Sequence, residues 1–194
     1  MNDGDSISVT APLQTNFTGL ERNVFAPFSA DSNLAQSGST IASVASRAST
    51  VDALYNASAE INILEIFVGA NDLWQGASDT TIFNALKSYC AARRAVGWKV
   101  VLGTLLPQNF GACVSGGCET TRLSVNSMIR ADTSFYDALA DIGDVSTFMG
   151  NIANNANATY YSQPDGIHPT NPAGHALLAP YFQSAVRSLI PVVH

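Results

Sequence analysis

INILEIFVGAND, residues 61–72, decides the fold. It is an apolar run of strand length that breaks at Gly69 into a polar Asn71-Asp72 pair, as a buried strand does when it leaves a sheet for a loop. A second run, WKVVLGTLLP (98–107), is stopped by Pro107, and YDALADIGDV (136–145) is a weaker third. Between the first two, residues 80–96 carry Ile82, Phe83, Leu86, Tyr89, Cys90 and Val96 near helical spacing, with Gly97 as the stop. Strand, helix and strand in that order predict a parallel sheet covered by helices. Helices are also expected over residues 37–54, over 119–131, and from Asn171, a capping residue followed by Pro172 at the first helical position. That last helix has Leu177, Leu178, Tyr181, Phe182 and Val186 on one stripe and Pro180 near its middle.

Composition bounds what such a fold can do. The chain has 194 residues, one domain's worth (1–194), and with 46% hydrophobic and 12% charged residues it predicts a packed core rather than disorder. Nine basic against fifteen acidic residues give a net charge of -6, which argues against nucleic acid as a partner. No apolar stretch approaches the roughly 20 residues of a membrane span, and no export signal is visible at the start. Cys113 and Cys118, in the Gly-rich GACVSGGCET, are placed to close a small disulfide ring, with Cys90 as a buried thiol. Pairing would favour an oxidising, extracytoplasmic compartment. Cysteine spacing argues against a zinc site. The sequons at Asn16, Asn56 and Asn157 decide nothing.

Polar residues gather at four places, each after a strand or turn: Gly4-Asp5-Ser6, SNLAQSGST (32–40), Gly69-Ala70-Asn71-Asp72 and QPDGIHPT (163–170). Acyl transfer by serine needs a base, a group that orients the base, and donors for the oxyanion. Ser6 fits the nucleophile, His168 the base and Asp165, three residues earlier, the orienting acid. Backbone N–H groups of Ser6 and Gly38 and the Asn71 amide fit an oxyanion hole. Pro169 keeps His168 out of the helical region. Asp5 and Asp72 read as structural, Asp141 as a weak rival to Asp165, and His175 and His194 as solvated or packing residues. Trp74 and Phe110 read as core aromatics rather than parts of an acyl pocket.

The order Ser6, Gly38, Asn71, His168, in the blocks GDSI, SNLAQSG, GAND and DGIH, resembles the SGNH hydrolases, or GDSL esterases and lipases. The resemblance spans residues 4–168. It implies an α/β fold, a three-layer α/β/α sandwich on a short, mostly parallel sheet of about five strands in flavodoxin-like order. It also implies hydrolysis of small acyl esters through an acyl-enzyme, with no metal or organic cofactor. Members include carboxylesterases, lipases, thioesterases and carbohydrate deacetylases. The absence of any Gly-x-Ser-x-Gly elbow sets the chain apart from the α/β-hydrolases. One departure stands out. Members run an apolar strand into Gly-Asp-Ser, but here only Met1, Asn2 and Asp3 precede it, so the first strand is expected to be missing or replaced. A truncated chain, a strand built from residues 189–193, or one donated by a second copy in a homo-oligomer would each account for this. A carbohydrate acetyl esterase and a catalytically weak glycan-binding relative are the alternative readings.

Overall fold

The computed structural model of the chain describes residues 1–8, 32–109, 113 and 117–190. Asn16, Phe110, His194 and most of the 189–193 segment lie outside the described residues. Four parallel strands form the sheet in the order β1 (Asn2–Gly4), β2 (Ile63–Phe67), β3 (Lys99–Gly103) and β4 (Ala138–Ala140). Alternation sorts their side chains onto two faces. Leu64, Ile66, Val100 and Leu102 join one core with α1 (Ile41–Ser46), α2 (Ala48–Asp52), α4 (Asp79–Val96) and α5 (Glu119–Ala131). Phe67, Val101 and Ala140 join the other with Leu178 and Phe182 of α6 (Ala173–Leu189). The expected α/β sandwich is therefore present, with helices on both faces of a parallel sheet.

The first strand is not missing. Asn2, Asp3 and Gly4 pair with Glu65, Ile66 and Phe67 of β2, and the Met1 amino group donates to the Ile63 carbonyl at 3.0 Å. On its other edge β1 receives an extended segment rather than a full strand. Asn2 N–H donates to Ser32 O, Leu34 N–H to Asn2 O and Gln36 N–H to Gly4 O, with a parallel bridge from Asn2 to Asn33. Three residues suffice because hydrogen bonds satisfy both edges. Among the described residues the sheet has four strands, where about five were expected. Leu189, which the sequence offered as the start of a replacement strand, ends α6.

Other departures have local causes. The helix expected over 37–54 starts later, at Ile41, where the Thr40 hydroxyl accepts from Ser43 N–H, and it breaks at Arg47, which leaves helical geometry between α1 and α2. The helices over 80–96 and 119–131 form as expected, α4 capped by the Ser78 side chain and ended by Gly97 at a φ of 119°. The last helix takes its cap from Thr170 rather than Asn171. Thr170 Oγ1 accepts from Gly174 N–H and its carbonyl from His175 N–H, which leaves Pro172 just outside the helix. The weak third strand shrinks to three residues, and the run at 98–107 pairs only as far as Gly103.

Candidate active site

Ser6 stands in the turn that follows β1. That strand lies close against β2: a Cβ on Gly4 would meet the Phe67 carbonyl oxygen at 2.2 Å, so only glycine fits two residues before the serine. Beyond it, Asp5 N–H donates to Phe67 O, and the Asp5 carboxylate turns back to accept from Ile7 N–H at 3.0 Å. Ser6 Oγ lies 2.8 Å from His168 Nε2, and His168 Nδ1 lies 2.9 Å from Asp165 Oδ2. Residues 162 positions apart thus join a single chain of hydrogen bonds.

The His168 end is a compact turn. Asp165 Oδ1 accepts from Ile167 N–H and His168 N–H, while Ser162 N–H donates to His168 O. Burial works to raise the Asp165 pKa, but donation from Ile167 N–H and from the His168 ring and backbone outweighs it, and the carboxyl is held below its ordinary range. An ionised Asp165 on Nδ1 leaves Nε2 free to accept a proton from Ser6.

Asn71 lies in α3 (Ala70–Trp74), entered through Gly69 at a φ of 127°. Its Nδ2 donates to Ser39 O at 3.0 Å, which fixes the amide beside the loop that carries Gly38. Gly38 has a φ of 78° and open space where a side chain would stand. Asp72 accepts from Ile41 N–H at the start of α1, tying α3 to that same loop; burial raises its pKa. As expected, Asp5 and Asp72 serve the backbone. Burial pushes Asp5 up to about 6, against the N–H groups of Ile7 and Ala70 and the charge of His168.

Three residues from the sequence reading fall elsewhere. Asp141 is held by Arg130 through two contacts of 2.8 Å and by Thr104 Oγ1, so it is occupied as an ion pair. His175 is buried in the first turn of α6, where burial presses its pKa down to about 4. Trp74 is not core: it is 43% exposed, on the same short helix as Asn71. Sequence reading missed Asp3, Arg47 and Tyr89. Asp3 Oδ1 accepts from Arg47 and Asp3 Oδ2 from the Tyr89 hydroxyl, three residues before Ser6 in the chain. An acid inside a strand position was the available signal.

The GDSL-like lipase/acylhydrolase family model matches residues 4–177. The chain belongs to that family. Among solved structures, a member of the lipolytic G-D-S-L family from Veillonella parvula DSM 2008 superposes with a TM-score of 0.75 at 15% identity, covering 97% of each chain. TesA gives 0.72 at 21% identity over 97% of this chain and 98% of that one. Axe2, an acetylxylan esterase from Geobacillus stearothermophilus, gives 0.66 at 17% identity over 95% and 92%. No curated protein matches the sequence. At these identities the structures establish a shared GDSL hydrolase fold, and the family match establishes the broad class, an esterase or acylhydrolase.

Proposed function

We propose that the chain is a serine esterase that hydrolyses short-chain carboxylic esters through an acyl-enzyme. The observation that carries this reading is the unbroken contact Ser6 Oγ to His168 Nε2 at 2.8 Å and His168 Nδ1 to Asp165 at 2.9 Å. In the reaction, Ser6 Oγ attacks the ester carbonyl as its proton passes to His168 Nε2. Charge develops on the carbonyl oxygen, where the N–H groups of Ser6 and Gly38 and the Asn71 amide donate. The imidazolium then returns the proton to the departing alkoxide, and the alcohol leaves. Water, deprotonated by His168, attacks the acyl-serine; the acid is released and Ser6 regains its proton. Asp165 keeps the productive tautomer and balances the imidazolium.

A carbohydrate acetyl ester is the second substrate class, favoured by Trp74. An exposed indole one helical turn from Asn71 offers an apolar face to a sugar ring beside the reacting carbonyl. The likeness to an acetylxylan esterase points the same way. The non-catalytic binding reading, and strand donation within a homo-oligomer, were both motivated by a missing first strand, and β1 removes that motive. The Cys113–Cys118 disulfide supports an extracytoplasmic setting. Among the described residues, no helix is long and apolar enough to cross a membrane.

The test is turnover of p-nitrophenyl acetate and butyrate alongside acetate release from acetylated xylo-oligosaccharides. Ser6→Ala is expected to lower kcat by on the order of 10⁵ to 10⁶ and to abolish fluorophosphonate labelling without unfolding the chain. Labelling that persists in this variant overturns the assignment. The ratio of the two substrates' kcat/KM decides between the classes.

A further inference from the structure

Asp3 is a carboxylate in the middle of a sheet strand, 1% exposed. Its Oδ1 accepts from Arg47 Nε at 3.1 Å and Nη2 at 2.8 Å, and its Oδ2 from Tyr89 Oη at 2.7 Å. The guanidinium does more than neutralise Asp3. Arg47 Nη2 also donates to Gly4 O at 2.9 Å, and Nη1 donates to Ser39 Oγ at 2.9 Å. Ser39 O in turn accepts from Asn71 Nδ2. One planar group therefore touches the strand two residues before Ser6 and the residue after Gly38, and reaches Asn71 through a single intervening residue. Arg47 can reach all of these because it sits at the break between α1 and α2, outside both helices.

A largely buried ion pair adds little net stability over a well-packed apolar pair, since desolvation offsets the attraction. It does supply geometry. A guanidinium presents its donors in a rigid fork, whereas the β1 ladder is three residues long and ends at Gly4, before Ser6. Donors of an oxyanion hole have to be aimed to a few tenths of an ångström at an oxygen that exists only in the transition state. Here those donors come from three segments far apart in the chain.

We infer that Arg47, paired with Asp3, is a positioning residue that holds the Ser6, Gly38 and Asn71 segments in register, so that their three donors converge on one oxyanion. The inference rests on the esterase reading of Ser6. Arg47 touches no substrate; it acts through Gly4 and Ser39.

Arg47→Lys separates geometry from charge. A lysine keeps a positive charge beside Asp3 but lacks the planar fork that reaches Asp3, Gly4 and Ser39 together. The expected result is a thermal midpoint close to the parent's, KM for p-nitrophenyl acetate within twofold, and kcat lowered ten- to a hundredfold. Affinity for an alkyl trifluoromethyl ketone, which forms a serine-bound oxyanion, should fall by the same factor as kcat. That parallel loss is the signature a merely structural role would not give. Ser39→Ala, which leaves Asp3 fully compensated, is expected to lower both quantities severalfold and carries the test if the lysine variant does not fold. Parent-like kcat and ketone affinity in whichever variant carries the test, or a kcat loss accounted for by the unfolded fraction, overturns the inference. Fluorophosphonate labelling of the parent distinguishes the two failures. An unlabelled parent refutes the esterase reading, whereas a labelled parent with indifferent variants refutes only the role of Arg47.

Discussion

Ser6 and His168 meet at 2.8 Å, yet the chain holds them by different means. His168 is supported locally: Asp165 is three residues away, Ser162 pairs with its backbone, and Asn155 Nδ2 fixes the turn by donating to Gly166 O. Ser6 follows a three-residue strand whose side-chain anchors, Arg47 and Tyr89, lie 44 and 86 positions from Asp3. The acid of the first end is half-buried and beside the chemistry. The acid of the second is buried within the strand that leads to Ser6. A local turn can place His168 within fourteen residues, whereas Ser6 is in place only once the sheet and its helices have packed.

Removing the acid from each end should therefore damage different properties. Asp165→Asn is expected to cost the most activity, lowering kcat on the order of 10⁴-fold by favouring the wrong imidazole tautomer. Its stability should change by less than about 1 kcal/mol, because the pair it breaks is partly solvated. Steady-state kinetics with a thermal melt checks both halves. Asp3→Ala is the converse. It strands a guanidinium whose side chain is only 13% exposed, a change that costs about 3 to 5 kcal/mol. For a chain of this length the thermal midpoint should drop by roughly 6 to 20 °C. A melt of Asp3→Ala that overlays the parent's would show that β1 needs no anchor and that the two ends are held alike.

The same contrast explains what could be read from the sequence. The turn around Asp165 and His168 was legible because the contacts between its acid and its imidazole lie within a few residues, and the central strands because their apolar runs are buried on both faces. The helical spacing of its apolar residues and the stop at Gly97 made α4 legible within one residue. The first strand was not, since Asn2 and Asp3 contradict the apolar pattern and become acceptable only through Arg47, Tyr89 and the 32–36 segment. The meeting of Ser6 with His168 and of His168 with Asp165 was readable. That Ser39 bridges Asn71 to Arg47 was not, because no local period encodes a contact between three loops.

The subtlest difference between the two ends is electrostatic, and it appears in stability against pH. Asp5, beside the nucleophile, has its pKa raised from 3.8 to about 6 by burial, and His175, on the helix that follows the base, has its own lowered from 6.5 to about 4 by burial and the charge of His168. For Asp5 the folded chain retains a proton that the unfolded chain has lost, so its contribution to stability falls as pH rises from about 4 to 6. The stability lost in this way is on the order of 3 kcal/mol. For His175 the unfolded chain takes up a proton that the folded chain refuses, so its contribution rises by about 3 kcal/mol as pH rises from about 4 to 6.5. The windows nearly coincide and the slopes oppose, so the parent hides both. Asp5→Asn should expose the histidine, giving a stability that climbs with pH relative to the parent; His175→Gln should expose the aspartate, giving one that declines. Urea denaturation at pH 4, 5 and 6.5, taken as differences from the parent, removes the background titration common to all three proteins. Difference curves that stay flat across that range would mean that neither group is buried as tightly as the packing around Ser6 and α6 requires.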